Sequence, residues 1–121
     1  MKLTNQEIYE YAMALNNAFS DDIKLPVKVN FYLQKNKATL TTLAQDIENA
    51  RINIINNYGS LNEDGTQYIV PKDKVAEAQQ ELTDLFNLEQ EVNLYTINID
   101  SLSDNIAITT GQMEAIMFMI D

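Results

Sequence analysis

The sequence predicts a mainly α-helical protein with a small β element, organised as a single domain over residues 1–121. Three observations predict this class: a capping-box spacing near the N-terminus, a long apolar stripe with helical period, and two short runs rich in β-branched and aromatic residues. Together they indicate a long antiparallel helical hairpin, short N- and C-terminal helices and a two-stranded ribbon. The length agrees, since single domains commonly contain about 100–150 residues.

The first helix is predicted over residues 5–19. Thr4 and Glu7 have the spacing of a capping box, in which each side chain satisfies a free backbone N–H of the other residue. Ser20 and the two aspartates after it end the helical pattern. The apolar positions of this helix are Ile8, Tyr11, Ala12, Leu15, Ala18 and Phe19.

The second helix, predicted over residues 26–57, has the clearest pattern in the chain. Pro26 suits a first helical turn, where its missing N–H costs nothing, and Gly59 suits a left-handed C-terminal cap. At 1.5 Å per residue the helix is about 48 Å long, so it cannot bury its apolar stripe alone. The stripe has the alternating spacing of a coiled-coil seam and consists of Val29, Leu33, Asn36, Leu40, Leu43, Ile47, Ala50 and Ile54.

A third helix is predicted over residues 72–89, after Pro71. Residues 58–71 form the connector, in which Asp64-Gly65 favours a turn with positive φ. A short connector makes the second and third helices antiparallel neighbours. The apolar face of the third helix consists of Val75, Ala78, Leu82, Leu85 and Phe86.

Two short segments have the composition of strands, residues 66–70 and residues 92–99. We expect them to pair as a ribbon that packs on the helices, because two strands alone are only marginally stable. Thr109 and Gln112 repeat the capping-box spacing and predict a last short helix that continues to Ile120.

Composition excludes several functional classes. The formal net charge of −10 and the pI near 4.2 argue against general binding of nucleic acid and against attraction to an anionic membrane. Cysteine and histidine are absent, which removes thiolate chemistry, the commonest general base and the commonest zinc ligand. No apolar run approaches the roughly 18–20 residues of a membrane span, and the N-terminal residues lack a signal-peptide pattern. These features predict a cytoplasmic protein.

Candidate catalytic and metal-binding motifs are weak. The carboxylate pairs Glu77/Glu81 and Asp21/Asp22 lie on predicted exposed surface, whereas acid–base work needs a cleft that separates their pKa values. The stretch Asn62-Glu63-Asp64-Gly65 is similar to part of a calcium loop, but Pro71 stands where the loop needs its glutamate. The three glycines are isolated and form no phosphate-binding loop. We therefore predict no catalytic residue, no cofactor and no metal site.

The long stripe is the first candidate interaction surface, and its exposed part predicts a homo-oligomer. The residues expected to mediate self-association are Leu33, Asn36, Leu40, Leu43 and Ile47. Asn36 has two interpretations: a buried polar group that sets register or oligomeric state, or a residue at the wet margin of the stripe.

Charge is distributed unevenly along the chain. Residues 23–45 contain no acidic residue and four lysines, Lys24, Lys28, Lys35 and Lys37. No Lys or Arg follows Lys74, so the last 47 residues carry −9 and the first 74 carry −1. Such accumulation is either a solubility device or a surface for a basic partner. The predicted acidic surface consists of Glu77, Glu81, Asp84, Glu89 and Glu91.

The C-terminal segment is apolar on all sides. A helix of that kind is either fully buried or shared between the core and an interface. Methionine and aromatic side chains adapt well to a partner surface, and the candidates here are Met113, Met117 and Phe118.

Several stretches, spread in order over nearly the whole chain, match one known family. They are Leu3-Thr4-Asn5-Gln6-Glu7-Ile8, Lys24-Leu25-Pro26-Val27-Lys28-Val29, Glu48-Asn49-Ala50-Arg51 with Tyr58-Gly59, Asn62-Glu63-Asp64-Gly65, and Met113 to Ile120. Together they resemble a family of small, uncharacterised proteins from phages and prophages of low-GC Gram-positive bacteria. The resemblance implies a phage context, with the host-cell cytoplasm or the virion as the location, and brings no catalytic residues.

The leading hypothesis is a non-enzymatic, phage-encoded protein-interaction module with an accessory, assembly or regulatory role. Its partner would be a phage or host protein. The alternative is an inhibitor of a bacterial anti-phage defence system. In one version the acidic surface mimics nucleic acid. In the other, an oligomeric pocket sequesters a nucleotide signal, and the lysines of residues 24–37 are the feature in its favour.

Overall fold

The structure, a computed structural model, describes residues 1–20, 24–102 and 108–121. Among them are four α-helices and two separate two-stranded antiparallel sheets, so the protein is mainly α with a small β element. The helices are α1 (Asn5–Ala18), α2 (Val27–Tyr58), α3 (Val75–Asn87) and α4 (Thr110–Ile116). The strands are β1 (Lys2–Thr4), β2 (Ser60–Leu61), β3 (Tyr68–Ile69) and β4 (Glu89–Glu91).

Helix α1 begins at the capping box that the sequence predicts. The Thr4 hydroxyl accepts from the backbone N–H of Glu7 at 3.1 Å, and the Glu7 carboxylate accepts from the backbone N–H of Thr4 at 3.0 Å. The face formed by Ile8, Ala12 and Leu15 is buried. Its predicted acidic stop, Asp21 and Asp22, lies outside the described residues.

Helix α2 follows the predicted stripe closely. Val29, Leu33, Asn36, Leu40 and Ile47 are buried, at the predicted spacing. The cap is not the predicted left-handed one: Gly59 is extended, with φ −97°, and its N–H donates to the Ile55 carbonyl at 2.8 Å. Glycine is needed there for space, because a Cβ would lie 2.9 Å from the Ile55 carbonyl oxygen.

The connector is a hairpin rather than half of a larger ribbon. Strand β2 pairs with β3 in the register Ser60–Ile69 and Leu61–Tyr68. Gly65 has φ 68° in the intervening turn, as the Asp-Gly pair predicts. A 3-10 turn over Lys72–Lys74 then leads into α3, which packs on α2 and on α1.

The predicted pairing of residues 66–70 with residues 92–99 is wrong. Strand β4 pairs instead with β1 at the N-terminus, in the register Lys2–Glu91, Leu3–Gln90 and Thr4–Glu89. After β4 the chain stays extended without a ladder, apart from one parallel bridge between Ile97 and Ile120. Its backbone groups find other partners, so it does not need a second strand. The Met1 carbonyl accepts from the Val92 N–H and the Met119 carbonyl from the Ile97 N–H, each at 2.8 Å.

Two buried asparagines of the N-terminal helices bind the end of α3 and the segment that follows it. The Asn36 amide donates to the Tyr95 carbonyl and accepts from the Tyr95 N–H, both at 2.8 Å. The Asn5 amide donates to the Leu85 carbonyl at 2.8 Å and accepts from the Gln90 side chain at 2.7 Å. Buried amides are costly unless they are hydrogen-bonded, and these two are satisfied by contacts at least 59 residues away in sequence.

Helix α4 also begins at its predicted capping box, between Thr109 and Gln112. The Gln112 amide additionally donates to the Ala18 carbonyl at 3.0 Å, which joins the start of α4 to the end of α1. A 3-10 turn over Met117–Met119 follows, in which Met119 is fully buried. The Phe118 ring stacks on Tyr11, with centroids 4.5 Å apart.

Candidate binding surfaces

Burial divides the described residues into two regions. We call residues 48–87 the arm: the end of α2, the β2–β3 hairpin and α3. The body is the described remainder. All residues of the arm are described, and Ala78 is the single buried one among them. The body contains every other buried residue, including the centre of the core at Ile8, Leu15, Leu40 and Met119.

The predicted self-association stripe lies inside the body. Leu33, Asn36, Leu40 and Ile47 are buried and Leu43 is half-buried, packed against α1, the extended segment and the C-terminal turn. The coiled-coil spacing is filled within one chain, so four of these five side chains are buried without a second copy. Self-association stays a prediction that requires another surface.

Of the two interpretations of Asn36, the structure excludes the wet margin and shows a buried polar group. The residue is 1% exposed, and its amide forms two hydrogen bonds with the Tyr95 backbone and donates to the Met119 sulfur at 3.5 Å. Sequence spacing placed Asn36 on the buried stripe. Its partner lies 59 positions away, and nothing local identifies it.

The predicted apolar C-terminal surface is divided between core and solvent. Phe118 and Met113 are half-buried and pack against the core, whereas Met117 is exposed. The segment is therefore not fully buried, and contact of Met117 with a partner stays a prediction.

The five predicted acidic residues are all exposed, but they form two groups. Glu77, Glu81 and Asp84 share one face of α3, while Glu89 and Glu91 lie on β4. Local cations offset part of their charge: Lys74 lies 3.9 Å from Glu77, Lys2 lies 3.3 Å from Glu89, and the N-terminal ammonium lies 3.0 Å from Glu91. The pKa of the Tyr58 hydroxyl is raised above its ordinary value, chiefly by its hydrogen bond to Glu81 and to a smaller extent by burial.

The arm exposes apolar side chains on its hairpin and on the helices beside it. Leu61 and Tyr68, paired on one face of the hairpin, are 54% and 47% exposed, and Ile69 on the other face is 54% exposed. Ile52 and Val75 are exposed on the flanking helices. Residues 92–97, the predicted partner strand of residues 66–70, bind the body and add no strand to the hairpin.

The predicted lysine cluster lies at the start of α2, on the body. The Lys28 ammonium lies 5.6 Å from the Tyr32 ring centroid, and the Lys35 ammonium lies 5.5 Å from that of Phe31. Lys37 donates to the Phe19 carbonyl at 3.4 Å, and Lys24 is exposed.

Two open grooves line the helices. One, of about 540 Å³, lies between α1 and α4 and is bordered by Ala14, Ala18, Gly111 and Gln112. The other, of about 350 Å³, lies between α2 and α3 beside Arg51 and Phe86. The Arg51 guanidinium is held by Glu48, which lowers the pKa of that carboxyl through hydrogen bonding. Within the described ranges, no three carboxylates lie together as a metal site would need.

No helix in the described part of the chain is long and apolar enough to cross a membrane. Comparison of the sequence with protein-family models, and of the chain with curated proteins and solved structures, found no match.

Proposed function

We propose that the protein is a phage-encoded, non-enzymatic interaction module that binds a phage or host protein through its arm. The observation that carries the proposal is the uncovered β2–β3 hairpin, with Leu61, Tyr68 and Ile69 about half exposed. The body supplies the fold, and the arm presents the recognition surface. The phage context rests on the sequence resemblance described above.

Hydrogen bonding favours a protein as the ligand of the arm. Each strand of a two-stranded sheet has one edge with unpaired backbone groups, which a further strand can join. A two-stranded hairpin alone is marginally stable, so an added strand would stabilise it as well as bind it. The apolar side chains on both faces would then lose water, at roughly 25 cal/mol per Å² of apolar surface covered.

Charge does not oppose approach to the hairpin end of the arm. Residues 51–74 contain three basic and three acidic residues, whereas residues 75–87 contain three acidic and no basic ones. Like-charge repulsion is therefore weaker at the hairpin than at α3. The same local neutrality makes the hairpin a suitable surface for the predicted homo-oligomer.

The alternative proposal, an inhibitor of a bacterial anti-phage defence system, is favoured by one feature of the arm. Glu77, Glu81 and Asp84 line one exposed face of α3, where a basic channel could bind them in place of nucleic acid. Such binding would weaken steeply with salt, because screening at 1 M shortens the Debye length to about 3 Å. Binding through the hairpin would be much less sensitive to salt. The nucleotide-sequestering version depends on the lysines of the body.

The test is co-purification from infected cells with matched variants. We expect Leu61→Ser combined with Tyr68→Ser to lose the partner, and Glu77→Gln combined with Glu81→Gln to retain it. The matched control, Ile99→Ser with Met117→Ser, removes equally exposed apolar side chains from the body. It should retain the partner. Circular dichroism would show that all three variants keep their helices.

Three outcomes would contradict the proposal. The first is loss of the partner from the body control but not from the arm variant. The second is loss only when α3 is neutralised, with binding abolished by salt, which would establish the inhibitor alternative. The third is turnover of a substrate by the purified protein. Light scattering shows whether a second copy is the partner. In that case the wild type has a mass above the 13.8 kDa of one chain, and the arm variant has the mass of one chain.

A further inference from the structure

The body carries an aromatic–lysine cluster at the start of α2, formed by Lys28, Phe31, Tyr32, Lys35 and Tyr95. The Tyr32 and Tyr95 rings stack, with centroids 4.6 Å apart and planes 11° from parallel. Phe31 meets Tyr95 nearly edge-on, with centroids 6.4 Å apart. Phe31 remains 52% exposed and Tyr95 45% exposed, so aromatic surface is open to a ligand.

A buried contact fixes the geometry of this cluster. The residues on α2 share one side of the helix through their spacing of three, four and seven positions. Tyr95 comes from a distant segment and is positioned by the two Asn36 hydrogen bonds to its backbone. The cluster is therefore assembled before any ligand binds, which lowers the ordering cost of binding.

The electrostatic setting of Lys28 and Lys35 differs from that of three other cations. Lys2, Arg51 and Lys74 each form an ion pair with a neighbouring glutamate. Lys28 and Lys35 lie over aromatic rings instead, and neither forms an ion pair with a carboxylate of the described residues. Cation–ring attraction holds each ammonium beside the rings and leaves its remaining N–H donors for an anion.

We infer that the cluster binds a free nucleotide. The base would stack on the exposed part of Phe31 beside Tyr95, with the mobile Lys35 side chain moving from the ring to the phosphates, which Lys28 would also bind. These two lysines lie two helical turns apart, roughly 11 Å along the axis. Aromatic rings flanked by cations bind nucleobases and phosphates in this way with little base selectivity. A long strand is disfavoured, because the rest of a chain with net charge −10 would repel its phosphates.

This inference gives the nucleotide-sequestering alternative a site within one chain, and it is independent of the proposed role of the arm. All five residues of the cluster lie in the body, so substitutions in the hairpin leave them unchanged. Failure of nucleotide binding would not affect protein binding through the arm, and the reverse also holds.

The test is titration of the ¹⁵N-labelled full chain with ATP, followed by NMR and by calorimetry. We expect saturable shifts of amides in residues 28–36 and 94–96 at micromolar to millimolar ATP. Adenosine alone and inorganic triphosphate alone should each bind more weakly than ATP, because each makes half of the contacts.

Matched variants locate the site. Phe31→Ala should weaken ATP binding by about five-fold or more, the effect expected for loss of one stacking ring. Its control, Tyr68→Ala, removes a similarly exposed ring from the arm and should leave the affinity unchanged. Lys28→Gln with Lys35→Gln should weaken binding of ATP more than that of adenosine. Its control, Lys72→Gln with Lys74→Gln, removes the same number of positive charges from residues outside the cluster.

Several outcomes would overturn the inference. One is the absence of shifts in the cluster at millimolar ATP. Another is that inorganic triphosphate binds as tightly as ATP while Phe31→Ala leaves the affinity for ATP unchanged. That result would indicate only general attraction of anions to lysines. The last is binding of a short single strand while ATP, ADP and GTP all fail, which would make the site one for nucleic acid. Because Phe31 and Tyr68 are exposed, all variants are expected to fold.

Discussion

The body and the arm share the helix α2 but are stabilised to very different degrees. In the body, α2 is covered by α1, by the extended segment and by the C-terminal turn, and its stripe residues from Val29 to Ile47 are buried except for the half-buried Leu43. In the arm, α3 is the covering helix, and Ala78 is the single buried residue among residues 48–87. Because burial of apolar surface is the main favourable term in folding, most of the stability lies in the body.

The two regions also show that the spacing of apolar residues does not by itself decide how deeply they are buried. The stripe continues with the same spacing through Ala50 and Ile54, yet both are only half-buried. Spacing shows which side chains can face a neighbour, and the number of neighbours decides how deeply they are buried. The arm keeps the helical pattern and lacks the second covering layer, which leaves its hairpin available for binding.

The largest difference is expected for truncation of a stripe residue. Leu40→Ala in the body should lower the free energy of unfolding by about 3–5 kcal/mol, since Leu40 is fully buried and its removal leaves a cavity. Leu82→Ala in the arm should cost about 1–2 kcal/mol, because a half-exposed site relaxes and loses less buried surface. Urea unfolding measures both. Equal losses would show that the arm is as tightly packed as the body.

A second test removes the contact between the body and the extended segment. Asn36→Leu keeps the volume but leaves the Tyr95 N–H and carbonyl without their partner, so we expect a loss of about 1–3 kcal/mol. The control is Asn49→Ala on exposed surface of α2, with an expected change within about 0.5 kcal/mol. Chemical denaturation gives both values. A neutral Asn36→Leu would mean that the segment is held by apolar packing alone.

Replacement of two glycines by alanine should change the stability of the protein in opposite directions. Gly59→Ala in the arm should destabilise by about 1–2 kcal/mol, because the new Cβ would contact backbone oxygens of Ile55 and Ile69 at 2.9 and 3.3 Å. Gly111→Ala, in the first turn of α4, should stabilise by about 0.5–1 kcal/mol, since its site is open and helical. Thermal melts of the two variants measure the difference. Stabilisation by Gly59→Ala would show that the hairpin is free to move away from α2.

The smallest effect concerns pH and the Glu48–Arg51 pair where the arm begins. The folded-state pKa of Glu48 lies below its ordinary value, so the contribution of the pair is present above that value and is lost as pH falls through the folded pKa. The pair is partly exposed, so we expect at most about 1 kcal/mol. Unfolding of Glu48→Gln and the wild type should differ at neutral pH and converge at low pH. If the difference in unfolding free energy stayed constant with pH, the Glu48–Arg51 pair would not be its cause.

Sequence reasoning recovered the local features of the fold. Both capping boxes, the bounds of α2 within a residue or two, and the burial of Leu33, Asn36 and Leu40 follow from spacing alone. These features depend on residues within one or two helical turns of each other. The fold class, mainly α with a small β element, follows from the same patterns.

The missing features all depend on distant partners. Strand β1 pairs with β4 across almost ninety positions, and neither has the length or composition of a recognisable strand. Residues 92–97 have the composition of a strand but bind Asn36 and the ends of the chain, which composition cannot show. The burial of the predicted self-association residues by this one chain was missed for the same reason, because the covering segments are remote in sequence.

Native-state hydrogen exchange tests the division into body and arm most directly. We predict that amides of α2 from Leu33 to Ile47 exchange only through global unfolding, while those of Ile52–Tyr58, the hairpin and the first turns of α3 exchange through local opening at a clearly lower free energy. Leu40→Ala should then lower protection in the body and leave exchange in the arm nearly unchanged. Equal protection along the whole of α2, falling together in the variant, would contradict the account.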